Sequence, residues 1–174
     1  MGKYKIEIKW AIIFIAVMLL WVFLEKMMCL HSDRIDKHAT FTNLIAIPAI
    51  AVYTFALLDK KRNYYNGAMN YKQGFICGLI ITAIVTILSP LTQYVTSEII
   101  TPNYFANAIR YSVDAGKMEL AAAEKYFNLK SYIMQALIGT PIMGIITTAI
   151  VAIFTRSKGR NNAAPASNAK VGIT

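Results

Sequence analysis

The sequence predicts an all-α integral membrane protein: four transmembrane helices, with an extracytoplasmic amphipathic helical segment between the third and the fourth. Three observations predict it. The 174 residues are 56% hydrophobic, and the apolar ones gather in long blocks instead of recurring at the period of a soluble amphipathic fold. Four blocks have the length, about 18 residues or more, that carries a helix across a hydrocarbon core of about 30 Å. The formal charge of +9 falls wholly on one of the two faces that four crossings define.

The first span is expected at about 8–30, "IKWAIIFIAVMLLWVFLEKMMCL". Lysines precede it, as in a signal peptide. The apolar run is long, however, no small-x-small cleavage site follows, and "KMMC" lacks the small residue that lipoprotein processing needs ahead of Cys29. The expectation is a retained anchor. The second span is expected at about 41–58, the third at about 73–95 and the fourth at about 131–154, together a single domain over 1–155.

With four spans, the N-terminus, the Asp59–Lys72 loop and the C-terminal segment share a face. That face holds eleven lysines and arginines against two acids, whereas the opposite face holds seven against seven. The positive-inside rule makes the basic face cytoplasmic, so both termini are expected in the cytoplasm of a multi-pass protein of the bacterial inner membrane. The lysines then set topology and meet lipid headgroups, and nucleic acid is not expected as a partner. The topology puts Cys29 and Cys77 several helical turns apart, beyond disulfide reach.

Between the third and fourth spans, a helical cap is expected over about 101–128. Thr101 offers an N-cap and Pro102 a first helical position. Tyr104, Phe105, Ala108, Ile109 and Val113 share an apolar face, Gly116 can end that helix, and Leu120, Ala123 and Phe127 line one side of a second. Residues 156–174 form a basic tail, polar and Ala/Asn-rich, that is expected to be disordered and cytoplasmic.

Small residues recur at every fourth position in two spans: Gly74, Gly78, Thr82 and Thr86 in the third, and Ala136, Thr140, Gly144 and Thr148 in the fourth. Helices in lipid associate by close van der Waals contact, so such stripes, including the GxxxG of Gly74 and Gly78, mark packing faces. They predict either that spans three and four pack on each other or that one ridge forms a dimer. Pro48, Pro90 and Pro141 each delete a backbone hydrogen bond and are hinge candidates. Pro90 stands out because the Ser89 hydroxyl can supply a freed carbonyl.

Glu25 and Asp59 are the interfacial polar candidates. Glu25 is expected to pair with Lys26 near the end of span one, and Asp59 to be a boundary charge beside "KKR". No charge is expected deep in the membrane, which argues against proton-coupled transport. Cys29, His31, Asp33, Asp36 and His38 share the outer loop "CLHSDRIDKHATF", but their spacing fits no tight metal pattern. The sequence holds no Gly-rich phosphate loop, HExxH or GxSxG. No catalytic residue, cofactor or metal ligand is assigned, and an enzyme is not expected.

Several phrases, "TFTNLIAIPAI" with "ALLDKKRN", "YKQGFICGLIIT", "SPLTQYV", "TPNYFANAIRYSV" and "YFNLKSYI", together with the fourth span and its basic end, cover most of Phe41 to Arg156. In these the chain resembles a family of small bacterial membrane proteins known as domain of unknown function forty-one ninety-nine. The resemblance implies a four-span inner-membrane protein and brings no activity or site residues. The functional expectation is an accessory or scaffold subunit for an envelope protein. The alternative is a small dimeric carrier or flippase for a lipid-linked or apolar substrate. The partners expected are the lipid bilayer and either a second copy or another envelope membrane protein.

Overall fold

The structure, a computed structural model, describes residues 4–157, and over these the chain is all-helical with no strand. Its helices are α1 (Lys5–Met27), α2 (Ile35–Thr42), α3 (Ala46–Asn63), α4 (Tyr71–Tyr94), α5 (Tyr104–Asp114), α6 (Leu120–Tyr126) and α7 (Leu129–Thr155). A 3-10 turn, Asn43–Ile45, joins α2 to α3, and a π-helical turn, Val95–Ile100, extends α4. Four helical rods are long and apolar enough to cross a membrane: Lys5–Met27, Ile35–Asn63, Tyr71–Ile100 and Leu129–Thr155.

Their ends are set by local chemistry. Asn70 caps α4 with a reciprocal box, its side chain accepting from the Gln73 N–H while Gln73 returns a bond to the Asn70 N–H. Asn128 caps α7 by accepting from the Ser131 N–H at 2.9 Å. At the end of α5 the chain enters the left-handed region at Gly116 (φ 65°), where the Gly116 and Lys117 N–H groups bond back to Val113 and Ser112.

The central helix is α4. It packs along α7 and also touches α1 and α3, while α3 spans from α1 to α7. The interlock with α7 is reciprocal. A Cβ added at Gly78 would come within 2.9 Å of the Thr148 Cβ, and one added at Gly144 would come equally close to the Thr82 Cβ. Each glycine is therefore the floor under a threonine of the other helix. The two hydroxyl-bearing residues are buried, and Thr82 Oγ1 bonds to Tyr53 Oη of α3 at 2.7 Å and donates to the Gly78 carbonyl at 2.9 Å. Gly74 sits lower on the same face, against Met69, Leu57 and Ala152. Toward the other end the two stripes separate. Ala136 and Thr140 border a cavity of about 140 Å³ that Ser89, Phe14 and Met18 also line, and Thr86 is half-buried.

The prolines are absorbed in three ways. Pro48 stands in the first turn of α3, and the helix tightens to 3-10 geometry just before it, where the Leu44 carbonyl loses its donor. Pro90 deprives the Thr86 carbonyl, and Ser89 Oγ donates to that oxygen at 2.8 Å. Pro141 lies within α7, half-buried, without ending the helix.

At the end of the bundle where α1 begins and α7 ends, buried Glu7 and Lys60 form an ion pair at 2.8 Å, with the Lys60 ammonium 3.8 Å from the Tyr64 ring centre. Asp59 accepts from Lys9, from Trp10 Nε1 at 2.6 Å and from Asn63. Ser157 ties the end of α7 to the α3–α4 connection through Met69 and Gly67.

Several expectations need correction. The second rod begins at Ile35 instead of residue 41, because helical backbone runs unbroken through the polar "IDKHAT". His38 is thus on a helix and not in a loop. Thr101 is not an N-cap: α5 starts at Tyr104, and Thr101 closes the π-helical turn by donating its hydroxyl to the Thr96 carbonyl at 2.8 Å. Leu120 is exposed, whereas Ser112 is buried with Ala108 and Ala123. Glu7, in the first turn of α1, and Lys60, in the last turn of α3, are buried within the bundle, each 3% exposed or less. The expected tail lies outside the described residues beyond Ser157.

Candidate functional site

The polar chemistry at the opposite end of the bundle gathers around Glu25. The last turn of α1 carries it, and the residue is 4% exposed. Its partners are Trp21 and residues of the chain that follows, not neighbouring Lys26, which is exposed. A one-residue step on a helix is a rotation of about 100°, so the two side chains diverge. Trp21, one turn earlier, donates Nε1–H to Glu25 Oε1 at 2.9 Å, and Thr42 on α2 donates its hydroxyl to the same oxygen at 2.7 Å.

The chain then reverses through Met28–Arg34. Cys29 takes a left-handed conformation (φ 59°), and its carbonyl accepts from the Arg34 N–H at 2.9 Å. This reversal buries Leu30 and sends His31 back toward Glu25. His31 Nε2 lies 3.4 Å from Glu25 Oε2, and His38 Nε2, from α2, lies 3.8 Å from the same oxygen. One donor atom from each of Glu25, His31 and His38 lies within 4.8 Å of the other two. The Thr42 hydroxyl also reaches His38 Nε2 at 3.1 Å. His31 Nδ1 is buried without a hydrogen-bond partner, while its backbone carbonyl accepts from Asn107 Nδ2 at 2.9 Å.

The cap covers this cluster. The Tyr104 ring stands edge-on to His31, at 5.2 Å between centres, and tilted to His38 at 5.1 Å. Its hydroxyl meets that of Tyr132 on α7 at 3.2 Å, and burial pushes the Tyr104 phenol above its ordinary pKa, so it stays neutral. Phe105, Tyr126 and Phe127 surround Tyr132, so aromatic contacts fasten both cap helices to the start of α7. Two cavities flank the cluster. One of about 410 Å³ lies under the cap and is lined by His38, Tyr104, Tyr111 and Tyr132 among others. Another of about 250 Å³ lies beside His31, Lys26 and Asn107.

Of the residues singled out from sequence, Glu25 is in this cluster, and Asp59 is at the far end with Lys9 and Trp10. The packing stripes and Pro90 lie between. Cys29 is exposed and Cys77 buried, both as free thiols. His31 and His38 were visible in sequence as residue types, but Glu25 was not visible as their partner. The one available signal was an acid followed by two histidines around a short, polar chain reversal.

A family model described as a protein of unknown function (DUF4199) matches residues 9–157, most of the chain. No curated protein and no solved structure matches it.

Proposed function

The chain belongs to the DUF4199 family of proteins of unknown function, and we propose that it is an accessory or scaffold subunit of the bacterial inner membrane. Both termini are cytoplasmic in this reading, and the α5–α6 cap, on the outer side, docks another envelope protein. The charge asymmetry supports the orientation, since all the excess of +9 falls on the face that holds the termini.

One observation carries the docking role. The cap buries Ala108, Ser112 and Ala123 and presents Arg110, Asp114, Lys117, Glu119, Glu124 and Lys125 outward, all exposed, around Leu120 and Tyr126. A surface made for anionic lipid would be basic, and a gate for an apolar substrate would be apolar. Interspersed charges of both signs suit register-specific contact with a protein of complementary pattern. The test is to purify the tagged protein in a mild detergent and identify what elutes with it. A stoichiometric second protein, lost when Arg110→Glu and Glu124→Lys are introduced together, is the expected outcome. A clean homodimer with no companion would remove the scaffold reading.

The cavity beside Ser89, Ala136 and Thr140 favours a second reading, a small dimeric carrier for a lipid-linked or apolar substrate that hinges at Pro90. A carrier of this kind needs Pro90→Ala and Gly78→Leu to stop substrate movement while the protein stays in the membrane. If both variants were inert, the carrier would be excluded.

A further inference from the structure

We infer that Glu25, His31 and His38 form a binding site for one divalent transition-metal ion, zinc by the chemistry of its donors. Two imidazoles and a carboxylate are a set that zinc takes in three-ligand sites that keep a fourth position open. Magnesium and calcium prefer all-oxygen shells.

The distances point the same way. A tetrahedral zinc with bonds of about 2.0–2.1 Å holds its ligands about 3.3 Å apart. Glu25 Oε2 stands 3.4 Å from His31 Nε2 and 3.8 Å from His38 Nε2. Both are longer than an ordinary N–H···O bond of about 2.7–3.2 Å. Two ring nitrogens therefore converge on one oxygen without hydrogen-bonding it well; the three donor atoms lie within 4.8 Å of one another, and an ion would draw them together and take His38 Nε2 from the Thr42 hydroxyl 3.1 Å away.

The carboxylate is already oriented for this. Trp21 and Thr42 both donate to Oε1, which leaves Oε2 turned to the histidines. Neutral donors of this kind fix a metal-binding carboxylate and tune its affinity. Access exists on two sides, because His38 borders the 410 Å³ cavity and His31 the 250 Å³ cavity. A water or small anion from either could complete the shell. The ion would fasten three separate elements, the end of α1, the Met28–Arg34 reversal and α2, directly beneath Tyr104. The site does not depend on which partner the cap meets or on which side of the membrane it faces.

The test uses the full chain in mild detergent, with its affinity tag cleaved off and bound metals stripped with a chelator. It is titrated with zinc chloride and, as a coloured stand-in, cobalt chloride. The expected result is one ion per chain, with visible cobalt absorption bands of a four- or five-coordinate site. Cobalt should also quench Trp21, whose indole touches Glu25, when Trp10→Phe has removed the other tryptophan. Glu25→Gln, His31→Gln and His38→Gln should each weaken binding by more than about 100-fold, the upper limit for losing a mere supporting contact. Cys29→Ser should leave binding unchanged. The wild-type titration needs no variant. Failure to take up an equivalent of zinc at tens of micromolar would overturn the site, and so would stoichiometric cobalt that leaves Trp21 unquenched or that vanishes with Cys29→Ser.

Discussion

Gly78 of α4 and Thr148 of α7 occupy one space between them: the fully buried threonine fills the room that a side chain on the glycine would need. Thr82 and Gly144 repeat the arrangement with the roles of the two helices exchanged. Overpacking such a contact typically costs about 1–3 kcal/mol. Gly78→Ala and Gly144→Ala should each lower stability by about that much in thermal unfolding in detergent, whereas Gly139→Ala, where nothing lies within 4 Å of the new methyl, should not. Gly78→Ala combined with Thr148→Gly should be more stable than the two separate losses predict. Strict additivity would show that the interlock does not hold the helices.

The bond from Ser89 to the Thr86 carbonyl replaces the one that Pro90 removes. Ser89→Ala should destabilise by about 0.6 kcal/mol, and at most about 1.7, the range for side-chain hydrogen bonds among membrane helices. In a Pro90→Ala background the carbonyl regains an N–H donor, and the Ser89→Ala penalty should shrink toward zero. An equal penalty in both backgrounds would mean that the hydroxyl is not compensating for the proline.

Glu7 and Lys60 are buried as a pair, and removing the lysine leaves the Glu7 carboxylate buried without its cation. Lys60→Met alone should cost about 3–5 kcal/mol, and Glu7→Leu with Lys60→Met should recover much of the loss. Chemical denaturation of the single and double variants measures the difference. Lys60→Met as stable as the wild type would show that water reaches the Glu7 carboxylate.

The two cysteines supply a topology assay without engineering, since Cys29 is exposed at the cap end and Cys77 is buried. A membrane-impermeant maleimide applied to intact spheroplasts should label the protein, and Cys29→Ser should abolish the label. Labelling only after the membrane is opened would invert the proposed orientation.

The four long helices were legible because crossing a bilayer is a matter of composition, and the apolar blocks announce it. The ridges were legible too, as small residues at every fourth position. Which threonine faces which glycine depends on helix rotation and is not written in either stripe. The start of the second rod was hidden because α2 is polar and takes its helicity from continuity with α3. The Glu25 cluster was hidden more deeply. It needs a chain reversal with Cys29 at φ 59°, a conformation that a cysteine rarely signals. The Glu7–Lys60 pair joins helices α1 and α3 whose relative depth no local pattern reveals.

The pairing of α4 with α7 also orders events at the ribosome. Gly78 is synthesised 70 residues before Thr148. At about 5–20 residues per second, the glycine ridge of α4 is made roughly 4–14 s before its mate. Through that interval α1 and α3 can dock on α4, but its small-residue face stays open to lipid and to any other helix with a matching ridge. A second nascent copy is such a helix. Self-association through α4 is then a rival of correct assembly during synthesis, one that the arrival of α7 ends.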